Sequence, residues 1–314
     1  LMVTQSRAPQ SLWIGPWGHL PWGRRVGALD FGPAADSPID RLQLRWFDRF
    51  LKGQSAAASL EPAIQLFVMG LNQWRGCDHW PMDHGSPLYL TSTGLAGLRS
   101  DDGHLTPDQP GSMDSPPSTD VIVHDPWRPV PSLGGHCGLP AGPFDRAAID
   151  SRTDVLTYTT QPLPADLMLL GVPTVTLYCR ADAPSFDLSV VLSEVHGDGR
   201  VINLTQGHCR IEHHDLAQAD FQAIALSLHP TACTLASGQQ LRLSVAAACF
   251  PAYALNSGTG AGPGQCSQLE HRVITLVFAH DAQHPASVTL PIDELSAADP
   301  GPSPVLEGGR KRNE

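Results

Sequence analysis

Among the 14 histidines of the chain, His19 stands where a side chain could do chemistry. It closes the run Gly15-Pro16-Trp17-Gly18-His19, on a loop that leaves the apolar stretch Ser11-Leu12-Trp13-Ile14. In open α/β sheets functional side chains collect on loops at the carboxyl ends of strands, and an imidazole there can take and return a proton near neutral pH. Position alone does not assign that role, because loop histidines are commonly surface or hydrogen-bonded residues. Trp17 and Trp22 flank His19 and could wall a substrate pocket, although large aromatics beside a strand more often belong to a core. His213-His214-Asp215, and His79 with Asp83 and His84, could ligate a metal. Both lie on presumed turns, outside any expected helix or Cys/His finger that would bring ligands onto one ion, so no metal site is expected. Asn203-Leu204-Thr205 fits the N-glycosylation acceptor pattern, which has meaning only in a secretory setting. Ser6 and Ser11 sit in no strand-turn-helix elbow of the kind that activates serine.

The elements that must position these residues fall into two kinds. Leu12 to Ile14 reads as a short buried strand closed by Gly15-Pro16, and the Gly- and Pro-dense segment to Pro33 is expected to be irregular. From Ser37 the pattern becomes helical. Ser37 is expected as N-cap, Pro38 at the first helical position and Gly53 just past the end, and Ile39, Leu42, Trp46, Phe47, Phe50 and Leu51 form one apolar stripe. Beyond residue 60 short strand candidates follow one another, separated by turn signals: Ala63 to Met69, Leu88 to Leu90, Val121 to His124, Thr153 to Thr159, Met168 to Arg180, Leu188 to Val195, Val201 to Ile211, Phe221 to Leu228, Gln240 to Ala247, Arg272 to Ala279 and Ser287 to Ile292. His196-Gly197-Asp198-Gly199 is expected to be a hairpin turn. This texture predicts a mainly β chain, a β-sandwich or jelly roll. Residues 1–60 form one unit, 61–292 a second, and 293–314 a disordered tail.

Composition bounds the rest. The chain has 314 residues, 41% hydrophobic and 16% charged, with 29 Gly and 29 Pro, which fits a globular, turn-rich protein. The formal net charge of −11 repels a phosphate backbone and argues against nucleic acid or an anionic membrane as partner. No apolar run reaches the ~20 residues of a spanning helix, and the first residues lack a secretory signal pattern. Residues 1–60 carry seven basic against four acidic side chains, the remainder 13 against 27, which supports a boundary near 60. Seven dispersed cysteines exclude C-x-x-C spacing, read as buried thiols and lean toward a reducing, cytoplasmic compartment.

Ordered motifs extend over residues 10 to 292. Leu12 to His19 is followed by Asp30-Phe31-Gly32 and by Leu44 to Gly53. Val68-Met69-Gly70, Asn72-Gln73-Trp74-Arg75, Trp80-Pro81, Leu88-Tyr89-Leu90, Asp125-Pro126, Pro129 to Gly135, Asp187-Leu188, Asp198-Gly199-Arg200 and Asn256-Ser257-Gly258 come next. Together they resemble the cocaine esterase and X-prolyl dipeptidyl aminopeptidase group of serine hydrolases. The resemblance implies an α/β-hydrolase domain with a helical cap and a carboxyl-terminal jelly roll, of which this chain would hold the last strand, His loop and helix of the first and the whole of the second. It implies His19 as the triad histidine, with the nucleophile Ser and the Asp lying upstream of Leu1. It implies hydrolysis of a small ester, amide or X-Pro peptide through an acyl-serine, no cofactor, and a jelly roll that closes one side of the pocket and supports homo-oligomers. On this reading the chain alone is inactive, and its first strand lacks sheet neighbours, so residues 1–36 are expected to be labile. The alternative is a non-catalytic β-sandwich module that binds a ligand or partner.

Overall fold

A computed structural model describes residues 9–19, 22–53, 62–80, 85–111, 118–136, 141–212 and 220–293. The elements run β1 (Leu12–Ile14), β2 (Arg25–Val26), β3 (Leu29–Asp30), α1 (Ile39–Lys52), β4 (Ile64–Val68), β5 (Gln73–Cys77), β6 (Pro87–Thr91), β7 (His104–Thr106), β8 (Thr119–His124), α2 (Ala147–Asp150) and β9 (Val155–Thr159). They continue through β10 (Leu167–Gly171), β11 (Thr174–Ala181), β12 (Phe186–Val195), β13 (Val201–Ile211), β14 (Gln222–Ser227), β15 (Thr231–Leu235), β16 (Gln240–Ala246), β17 (Ile274–Ala279), β18 (Ser287–Thr289) and β19 (Ile292–Asp293).

The expected β-sandwich is present. Eleven strands form one sheet in the order β13-β12-β16-β9-β7-β6-β18-β11-β17-β8, with β14 on β11. The sheet folds over on itself: Leu188, Val190 and Leu192 of β12 and Leu241, Leu243 and Val245 of β16 share one core with Val175, Leu177 and Cys179 of β11 and Leu276 and Phe278 of β17. The sequence reason is alternation. Along β11 Val175, Leu177 and Cys179 are buried while Thr174, Thr176 and Tyr178 between them are less so. The 196–199 hairpin joins β12 to β13, with Gly199 at φ 89°. Burial pushes the Cys179 and Cys233 thiols up to about 12, so they behave as small hydrophobes.

Several expectations change. The predicted strand from Met168 to Arg180 is two, β10 and β11, because Pro173 has no amide to donate to a ladder; β10 joins β15 and β19 in a separate sheet. Ser37 does not cap α1. The N-cap is Pro38 with no side-chain bond, while Gly53 ends the helix in the left-handed region, φ 66°. The Gly/Pro segment holds a small β2–β3 hairpin, Arg25↔Asp30 and Val26↔Leu29, so it is not wholly irregular. Asp293, expected to open the tail, pairs with Met168 in β19 and its carboxylate lies 2.9 Å from Arg75; the remaining tail residues lie outside the described residues. β1 does have a neighbour. It runs parallel to β4, Leu12↔Ile64 to Ile14↔Leu66, and β4 pairs antiparallel with β5. This sheet crosses residue 60, and α1 is the crossover that a parallel pair requires. Among the described residues the stripe on α1 is only half-covered at Ile39 and Leu42 and is open further along, with Phe47 54% and Leu51 76% exposed.

Inside the sandwich a polar cluster ties four segments together. Asp120 Oδ2 accepts hydrogen bonds from Ser92 Oγ at 2.7 Å and Tyr158 OH at 2.8 Å and lies 2.8 Å from His280 Nε2; its Oδ1 takes the Ala96 N–H at 3.0 Å. Burial raises the Asp120 pKa, and the bonds from His280, Ser92, Tyr158 and Ala96 outweigh it, holding the carboxyl below its usual 3.8. A depressed folded value stabilises above the unfolded one and is lost as pH falls through it. Asp120→Asn should therefore lower stability by about 3 kcal/mol at neutral pH, with the difference from wild type shrinking below pH 4; urea unfolding at several pH values measures both.

Candidate functional site

The loop from Gly15 to His19 leaves the carboxyl end of β1 and borders a cleft of about 800 Å³. Trp17 and His19 line one wall with Val26 and Phe31, and the sandwich supplies the other through β13, His136 and His229. The cleft thus lies between the two halves of the chain. Trp22 is not among its lining residues: the indole is 49% exposed, and its N–H donates to the His19 carbonyl at 2.8 Å. That bond pulls the ring away from the wall expected for it and ties it to the loop backbone instead.

The loop owes its course to aromatic packing. Trp17 lies over Gly15, where a Cβ would collide with the Trp17 ring, and its indole N–H donates to the Ala35 carbonyl at 2.6 Å. Trp74 of β5 meets Trp13, Trp17 and Phe67 at ring-centroid distances of 5.0, 5.7 and 5.4 Å, and Phe67 packs edge-on against Phe31. Such tilted and edge-to-face pairs are the arrangements the ring quadrupoles favour.

The facing wall is built by close backbone approach. Gly134 and Gly135 sit at φ 65° and 69°, and a Cβ on Gly135 would strike the Gln206 side chain of β13. Asn203 is 7% exposed; its Oδ1 accepts from Phe144 N–H at 2.7 Å and its Nδ2 donates to the Gly142 carbonyl at 3.1 Å. The acceptor motif at Asn203 is thereby a structural clasp with its amide buried. His136 and His229 stand edge to face with ring centroids 3.9 Å apart, and His136 Nε2 lies 3.3 Å from Tyr253 OH. Burial lowers both pKa values, and His229 lowers that of His136 further, so the wall presents uncharged imidazoles at neutral pH. Sequence reasoning missed this pair, since His136 and His229 lie far apart along the chain and only the packing of their loops on β13 brings them together.

Behind that wall, Arg210 holds Asp187 with two bonds of 2.8 Å, and Asn256 Nδ2 donates to Asp187 Oδ1 at 2.8 Å. The Asp187 and Asn256 motifs, far apart in sequence, are one buried cluster. Among the described residues no group of three or more His, Cys, Asp or Glu could hold a metal ion. His79 lies on the surface, whereas Asp83, His84 and 213–215 lie outside the described residues. Ser11 Oγ accepts the Trp13 indole N–H at 3.1 Å. The Ser92, His280 and Asp120 cluster does not act as a catalytic triad: one imidazole nitrogen, Nε2, faces both partners, whereas a triad uses the two nitrogens separately, and the cluster is closed to the cleft.

A family described as X-Pro dipeptidyl-peptidase C-terminal non-catalytic domain matches residues 56–289. The chain belongs to this family. It is also 31% identical over 308 residues to a cocaine esterase from Rhodococcus sp. (strain MB1 Bresler), covering 93% of this chain and 53% of that one. An aminopeptidase structure from a marine sediment Thaumarchaeota archaeon superposes with a TM-score of 0.76 at 22% identity, over 91% of this chain and 49% of that one. An α-amino acid ester hydrolase superposes at 0.73 and 23%, over 90% and 50%. These relatives are hydrolases, and the chain spans about half the length of each. Among its described residues no helix is long and apolar enough to cross a membrane.

Two outcomes test the far wall. His229→Gln should raise the His136 pKa part of the way back toward its ordinary 6.5, because the charge component goes while the larger burial component stays; NMR titration of the imidazole resonances reads this. Gly135→Ala should cost about 1–3 kcal/mol through its positive φ and its collision with Gln206, visible as a lowered thermal midpoint.

Proposed function

We propose that the chain is the carboxyl-terminal part of a serine hydrolase that cleaves a small ester, amide or X-Pro peptide through an acyl-serine intermediate, with His19 as general acid and base. The observation that carries this reading is the place of His19, on a loop at the carboxyl end of a strand and at the rim of a cleft closed on its far side by the sandwich. In that role His19 takes the proton of the serine hydroxyl during attack and returns it to the leaving group, while Trp17 walls the pocket. The nucleophile, the orienting carboxylate and the oxyanion donors come from a preceding α/β-hydrolase region, for which residues 1–60 supply the last strand, the His loop and the helix. Residues 61–292 form the jelly roll, and the β1-β4-β5 sheet is the seam between them. Uncharged imidazoles on the far wall suit a neutral or polar group on the substrate better than an obligatory ion pair.

The chain alone should show no turnover of aryl esters above buffer and no labelling by a fluorophosphonate, since acyl transfer needs the nucleophile as well as the base. In the whole hydrolase His19→Ala should lower kcat/KM by about a thousandfold or more with the fold intact. Labelling of the isolated chain, or wild-type turnover by the alanine variant, overturns the reading and favours a non-catalytic binding module.

A further inference from the structure

Trp74 belongs to the stretch matched by the non-catalytic domain family, yet its contacts reach the segment that carries His19. Its ring meets Trp13, on the strand entering the loop, and Trp17, two residues before His19. Its indole N–H donates to the Ala34 carbonyl at 2.7 Å, on the far side of the loop, next to the carbonyl that takes the Trp17 N–H. One side chain therefore holds the entrance, the approach to His19 and the exit of a Gly- and Pro-dense loop. A residue that served the sandwich core alone would turn inward, whereas Trp74 is only partly buried, on the outer sheet of β1, β4 and β5.

The loop needs such a hold. Trp17 and His19 are separated by Gly18, where a Cβ would meet nothing within 4 Å, so no packing at that residue fixes the turn. Glycine also leaves the backbone its widest choice of conformations. Two residues extend over about 7 Å at most, so the place of the Trp17 ring limits where the His19 imidazole can stand, and misplacement of a reacting group by about 1 Å can cost on the order of a hundredfold in rate.

We propose that Trp74 is a positioning residue for His19: through this indole the domain termed non-catalytic helps set the geometry of the general base, beside the direct bond from the Trp22 N–H to the His19 carbonyl. This rests on His19 being that base. The edge-to-face and tilted rings hold Trp13 and Trp17 against β5, and the Ala34 bond ties the exit of the loop to the same side chain.

The test uses two variants. Trp74→Phe keeps a ring against Trp13 and Trp17 and gives up the bond to Ala34; Trp74→Leu gives up both. In the full chain, exchange of the Trp17 indole N–H, bonded to the Ala35 carbonyl, and of the Leu12 and Ala35 amides should accelerate at least tenfold in the leucine variant and less in the phenylalanine variant, while β12 and β16 keep wild-type protection. In the whole hydrolase the leucine variant should lose at least tenfold in kcat at unchanged KM, with most of the loss rescued by phenylalanine. Unchanged exchange at the Trp17 indole and the Leu12 and Ala35 amides, or an effect on KM alone, overturns the positioning role. Faster exchange together with a silent His19→Ala overturns the general-base reading and the positioning role with it, so the two failures are told apart.

Discussion

The packing of Trp74 against Trp13, Trp17 and Phe67 is the constraint on which the remainder of the site depends. A loop rich in glycine and proline loses much conformational freedom when it takes one shape, and it has few side chains with which to offset that cost. Tilted aromatic pairs contribute about 0.5–1.5 kcal/mol each beyond the area they bury, and here three of them converge on one indole. Their effect is local and directional. They stack the loop on the β1-β4-β5 sheet, and the parallel pairing of β1 with β4 gives that packing a fixed base. The strand and its loop are thereby joined to the body of the chain, contrary to what an orphaned strand would have allowed.

The cleft follows from this junction, because its two walls come from different parts of the chain. On the far side the wall is brought close by glycines at positive φ, by the Asn203 clasp and by Gln206 beneath Gly135. The same burial that shapes the wall sets its electrostatics. His136 and His229 lose solvation without gaining a carboxylate partner, so their uncharged forms are favoured. Asp120 and Asp187 show the opposite balance: burial works against their charge, but each gathers enough hydrogen bonds to hold its carboxyl below the usual range. Asp120 and Asp187 thus differ from the rim imidazoles in the number of donors each group meets.

Local physics made part of this legible in the sequence. Period-2 alternation, as in Thr174 to Cys179 where Val175, Leu177 and Cys179 turn inward, marks strands with one buried face. The left-handed position of Gly53 ends α1 where the apolar period stops, and the run from Gly15 to His19 marks a loop after a strand. Those features depend on neighbours a few residues away. The partner of β1 did not show in the sequence, because a parallel pair is set by a crossover and not by a turn with its own residue signature. β5 and β15 went unmarked for a related reason: Gln73–Cys77 and Thr231–Leu235 are only five residues long, and they are strands because β4 and β10 offer them a ladder. Composition and pattern therefore determined that this is a β-sandwich preceded by a strand, a His loop and an amphipathic helix. Only the tertiary structure decided that Trp17 and not Trp22 lines the cleft, that His136 and His229 line the same cleft as His19, and that Trp74 meets Trp13, Trp17 and the Ala34 carbonyl, since each of those outcomes depends on contacts between residues that sequence distance keeps apart.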